Sequence, residues 1–142
     1  SGGQRMMEAA TQRLEQHGLA THLIAVTVLT SMQAEDLADV GINAPLAEHV
    51  ERLALLAKQS GLRGVVCSAQ ESARIKTLCG DSLKVTPGIR PSFAATNDQQ
   101  RIMTPSQAIQ SGSTHLVIGR PITQAEDPMA ALEAIEAELK VA

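Results

Sequence analysis

Four short apolar runs recur along this chain, each followed by a stretch of helical composition. They are LIAVTV (23–28), GVVC (64–67), LKVT (83–86) and HLVIG (115–119). A nearly continuous apolar run of this length suits a parallel strand buried on both faces, because crossover helices cover the sheet. Parallel neighbours require helical crossovers, and those crossovers are right-handed. The order expected is therefore one helix followed by four β-α units. Two architectures satisfy it: an open doubly wound sheet, or part of a (β/α)8 barrel. A complete barrel takes roughly 250 residues and eight strands; this chain has 142 residues and four candidate strands.

The helices are punctuated clearly. Residues 4–16 are helical in composition and end near Gly18. The segment AEDLADV (34–40) stops at Gly41, and Pro45 opens a longer helix that closes at Gly61. In that helix Leu46, Val50, Leu53 and Ala57 fall on one face. Ser68 and Glu71 form a capping box, as do Thr104 and Gln107 with Pro105 at the first helical position. Gly80 and Gly112 end those two helices, and Asp127-Pro128 starts the last. Its expected buried stripe is Pro128, Leu132, Ile135 and Leu139. No linker, low-complexity tract or charge block divides the chain, so residues 1–142 read as one domain.

Composition narrows the function classes. With one Phe and neither Tyr nor Trp, the chain has no aromatic platform for stacking bases, and its net charge is −3. Both features argue against a nucleic-acid partner, and the charge against an anionic membrane surface. No run reaches the length of a membrane span and no signal-peptide pattern opens the sequence, which points to a cytoplasmic protein. Cys67 and Cys79 are not in a CxxC and read as buried thiols of a reducing compartment.

Ligands of parallel α/β sheets bind at the carboxyl ends of the strands. After the first run stand Thr30 and Ser31, which fit either a ligand's carbonyl or imide or the cap of the short helix that follows. After the second stands Ser68, which the capping box explains, and Cys67 has no neighbouring His or Asp to activate it. After the third, Pro87 and Pro91 bracket a Gly-Ile-Arg turn that holds Arg90 stiffly. A long polar loop with Asn97, Asp98, Gln99, Gln100 and Arg101 follows, either a flap over a ligand or a plain solvated loop. After the fourth come Gly119, whose backbone can approach an anion closely, and Arg120, which supplies a bidentate fork. Two arginines after consecutive strands look like a grip for a phosphate. A general acid or base beside that grip is not evident: the four histidines are scattered, and Lys84 lies before the carboxyl end of its strand.

The runs IAVTVLTSM, GVVCSAQE, LKVTPGIRP, DQQRIMTPSQAI, VIGRPIT and DPMAALEAI, in this order and spacing, closely resemble bacterial-type orotidine 5'-monophosphate decarboxylases. The resemblance implies a (β/α)8 TIM barrel acting as a homodimer without a cofactor, which converts orotidine 5'-phosphate to UMP and carbon dioxide in pyrimidine biosynthesis. It implies that Thr30 and Ser31 contact the ribose or pyrimidine region. It also implies that Pro87 belongs to the binding turn, and that Arg90, Gln99, the Gly119 backbone and Arg120 hold the 5'-phosphate. Residues 90–104 would be the flap. The family's Lys–Asp–Lys–Asp network, part of it in a D-x-K-x-x-D-I-P-N-T motif, is not in this sequence. The chain is thus expected to supply strands five to eight, the C-terminal half of the barrel, with no catalytic residue of its own and no activity alone. The expected partner is a complementary N-terminal half-barrel or a second copy. Two further readings stay open: a non-catalytic phosphate-binding half-barrel, and another phosphate-sugar barrel enzyme such as a hexulose-phosphate synthase.

Overall fold

The computed structural model describes residues 2–94 and 101–140. Helix α1 (Gly3–Gln16) precedes strand β1 (Ile24–Val26), which leads into α2 (Ala34–Asp39) and α3 (Leu46–Gln59). Strand β2 (Gly64–Val66) passes through a single 3-10 turn (Ala69–Glu71) into α4 (Ser72–Cys79). Then follow β3 (Leu83–Thr86), α5 (Pro105–Gln110), β4 (His115–Leu116), α6 (Arg120–Thr123) and α7 (Pro128–Lys140).

All strand pairs are parallel, and the sheet order is β1-β2-β3-β4. That order decides between the two architectures. A doubly wound sheet reverses direction at a switch point, so its strand order is not sequential. Four parallel strands paired in chain order are an arc of a (β/α)8 barrel, half of its eight strands. The fold is a half-barrel with flanking helices.

Register fixes what each face carries. Val65 pairs with Lys84 and Val66 with Val85. The row with Val65, continued by Cys67, packs against Val50, Ala54 and Ala57 of α3 and Ile75 and Cys79 of α4. This outer layer holds the main core. Lys84 is buried in the outer row, its ammonium donating to the Ser82 carbonyl at 2.7 Å. The opposite row, Val26-Val66-Val85-His115, faces away from the helices. Val26 is 53% exposed there, although it belongs to an apolar strand. An apolar sheet face left open in this way is a surface built to be covered.

LIAVTV forms a strand only over Ile24–Val26, and two further expectations on element limits need correction. HLVIG forms only two strand residues: the paired strand ends at Leu116, and after residues 117–119 the chain enters α6, a short helix that apolar periodicity does not announce. The stripe of α7 is Ala131 and Ile135 with half-buried Leu139, while Pro128 and Leu132 are exposed. Spacings of four from Ala131 place the small residue against the neighbouring helices and turn the bulkier Leu132 outward.

Gly64 permits the closest approach in the sheet. A Cβ there would overlap the Leu83 carbonyl oxygen and Cβ on the paired strand. Gly64→Ala should therefore destabilise the fold by roughly 1–3 kcal/mol through overpacking. The urea unfolding midpoint checks this, and an unchanged midpoint would show that β2 and β3 can separate at no cost.

Candidate functional site

The parallel arrangement brings every strand's carboxyl end to one rim. The last pair of β3 and β4 is Thr86-Leu116, and the Val117 N–H continues the ladder to the Thr86 carbonyl at 3.0 Å. The turn after β3 and the segment after β4 therefore leave the sheet side by side. Pro87 is half-buried at the start of that turn, and Gly88 takes a φ of +77°, which a side chain would strain. Arg90 is buried; its Nη1 donates to the Ile89 carbonyl at 2.8 Å and its backbone N–H to the Met103 carbonyl at 2.9 Å. Gly119 precedes α6, and a Cβ built on it would meet nothing within 4 Å. Packing does not demand a glycine there; its bareness keeps the backbone approachable. Arg120 opens α6 and is half-buried, and Pro121 behind it is buried.

At the end of β1, Thr30 is buried and Ser31 exposed. Neither caps α2. The cap is Gln33, whose N–H donates to Asp36 Oδ2 at 2.7 Å in a capping box. The simpler account of Thr30 and Ser31 is thereby removed. Ser68 does cap the 3-10 turn, with its N–H donating to Glu71 Oε2 at 2.9 Å. The Cys67 thiol is pushed up to about 12, first by burial and then by the nearby Glu71 carboxylate. It stays protonated at neutral pH and is no nucleophile. Gln99 and most of the polar loop that reads as a flap, 95–100, lie outside the described residues.

The structure adds a pair that the sequence does not join. Arg101 forms an ion pair with Glu71, and the two side chains are 12% and 13% exposed. Arg101 Nη2 also donates to the Leu29 carbonyl at 3.0 Å and the Val28 carbonyl at 3.3 Å. Burial raises Glu71 above the ordinary carboxylate range, while Arg101 and the Ser68 N–H pull it back. Glu71 is legible as a cap, but its separation of thirty positions from Arg101 hides the pairing.

The family model described as Orotidine 5'-phosphate decarboxylase / HUMPS family matches residues 1–135. The chain belongs to this family. It is 63% identical over 139 residues to an orotidine 5'-phosphate decarboxylase of Chromohalobacter salexigens, covering 97% of this chain and 59% of that protein. With its counterpart in Saccharophagus degradans it shares 58% identity over 140 residues, again covering 59% of the relative. The crystal structure of orotidine 5'-phosphate decarboxylase from Lactobacillus acidophilus superposes with a TM-score of 0.78 at 40% identity, over 97% of this chain and 59% of that one. The chain thus spans about three-fifths of the length of these decarboxylases.

The raised Glu71 value has a consequence for stability. A folded pKa above the ordinary value near 4.5 means that the folded state binds this proton more readily than the unfolded state. Glu71's contribution is then full below about pH 4.5 and is lost as pH rises through the raised value. The Tm of the wild type relative to Glu71→Gln should be highest near pH 4 and decline toward pH 7. Thermal melts across that range measure it; a difference independent of pH would show that Glu71 ionises as easily folded as unfolded.

Proposed function

We propose that this chain forms the phosphate- and nucleotide-binding side of an orotidine 5'-phosphate decarboxylase, which releases carbon dioxide from orotidine 5'-phosphate to give UMP in pyrimidine biosynthesis. The observation that supports the reading is the β3-β4 register, from which the segment bearing Arg90 and the segment bearing Gly119 and Arg120 start at adjacent strand ends. Family membership supports it independently. In this reading the guanidinium groups of Arg90 and Arg120, the Gly119 backbone and Gln99 bind the 5'-phosphate. Thr30 and Ser31, at the end of β1, meet the ribose or pyrimidine, and Pro87 shapes the turn between the two groups.

The phosphate lies away from the carboxylate that leaves. Binding energy collected there raises the rate only if it positions the ring in the transition state more firmly than in the ground state. A rigid turn suits that purpose, since Pro87 and Pro91 fix φ on either side of Arg90 and limit how far it can follow a misplaced ligand. The decarboxylating groups are not among these residues, because the family's Lys–Asp motif is not in this sequence. The reading therefore treats residues 1–142 as one part of a cytoplasmic enzyme. Its missing network comes from a complementary half-barrel that covers the open inner row and pairs the edges at β1 and β4. No cofactor enters the scheme.

Arg120→Ala in the complete enzyme should lower kcat/KM by roughly 10- to 100-fold, the cost of a lost charge-assisted hydrogen bond, with circular dichroism unchanged. Steady-state decarboxylation followed by loss of orotidine 5'-phosphate absorbance tests this. An unchanged kcat/KM removes Arg120 from the phosphate site, and a wild-type enzyme without decarboxylation defeats the reading as a whole.

A further inference from the structure

The charged pair of Glu71 and Arg101 is absorbed neither by the phosphate grip nor by the nucleotide contacts. Its placement is unusual for a capping carboxylate. Arg101 lies two residues before Met103, which bridges in parallel to Ile89 and whose carbonyl accepts the Arg90 N–H at 2.9 Å. Its guanidinium reaches across two strand ends. One nitrogen meets Glu71 beyond β2; the other meets the Val28 and Leu29 carbonyls beyond β1, directly before Thr30. Two weaker links run the same way, from Ser68 Oγ to the Arg101 carbonyl at 3.4 Å and from Gln70 Nε2 to the Ile102 carbonyl at 3.4 Å. The Leu29 carbonyl also accepts the Met32 N–H at 3.0 Å, so the turn that carries Thr30 and Ser31 is closed at the atom Arg101 holds.

We propose that Arg101 is a positioning residue that locks the Thr30-Ser31 turn to the segment supporting Arg90, and so fixes the distance between nucleoside and phosphate contacts. The proposal rests on the functional reading of those two ends given above. A planar fork is needed for it. A guanidinium can serve a carboxylate on one edge and carbonyls on the other at once, whereas a lysine ammonium is a single point on a flexible stem. The Arg101 and Glu71 side chains are largely buried and Val28 is buried, so the ion pair and the Val28 contact exchange poorly with water, while the Leu29 contact lies at the exposed edge. Glu71 supplies the counter-charge that lets the guanidinium stay buried, and the Ser68 capping box holds Glu71 in turn.

The test uses the complete enzyme with Arg101→Met, which keeps the bulk and removes the fork, and Arg101→Lys, which keeps the charge for Glu71. Amide hydrogen exchange is followed by mass spectrometry in peptides covering 28–32 and 87–91, beside steady-state kinetics normalised to folded protein. Arg101→Met should speed exchange in both segments and lower kcat/KM by about tenfold or more, with kcat falling as well as KM rising. Arg101→Lys should fall between it and the wild type in both readouts, and serves as the test if the methionine variant does not fold. Unchanged exchange in either segment overturns the proposal. So does faster exchange with unaltered kinetics per folded molecule, which is the signature of a structural strut only. If the wild type does not decarboxylate orotidine 5'-phosphate, the functional reading fails, and exchange alone then decides whether Arg101 ties the two ends.

Discussion

Parallel pairing in chain order is the constraint on which the rest of this protein depends. Once β1 to β4 lie side by side with one polarity, every crossover must return along the same face, and the helices must form one outer layer. Every strand then also ends at one rim. The turn of Arg90, the Gly119-Arg120 corner and the Thr30-Ser31 turn are separated by dozens of residues in the chain, yet they leave the sheet together. No individual side chain creates that convergence; it follows from strand polarity.

The two faces of the sheet show how the arc differs from a self-sufficient domain. Val65, Cys67 and the helix residues Val50, Ala54, Ala57 and Ile75 make a closed core. The other row presents Val26 and its neighbours without a cover among the described residues. Hydrophobic burial is therefore more complete on the helix side, where Val65 and Cys67 are buried while Val66 and Val85 of the other row are half-buried. The open face goes with a chain that spans about three-fifths of the length of its decarboxylase relatives.

Turn chemistry gives the rim its stiffness. The capping boxes at Ser68-Glu71, just after β2, and at Thr104-Gln107, at the start of α5, satisfy helix N–H groups with side chains. Glu71 serves twice, as cap and as counter-charge to Arg101, and the cost of burying its carboxylate appears as its raised pKa. A rim built in this way holds its arginines by backbone and neighbouring charge, not by the packing of long side chains.

Local signals in the sequence determined much of this. Apolar runs, glycine stops, proline starts and capping boxes located the strands and nearly all helices, because each depends on residues within about four positions. The family's motifs named the candidate site residues for the same reason: each motif is contiguous. Tertiary structure decided what contiguity cannot. It chose the barrel arc over the doubly wound sheet, since strand order is a long-range property. It moved the helix cap from Thr30 or Ser31 to Gln33, turned the α7 stripe to Ala131 and Ile135, and ended β4 at Leu116, short of the expected Gly119. It joined Arg101 to Glu71 and to the end of β1, because a charge pair across thirty residues has no periodicity to read and exists only once the strands are aligned.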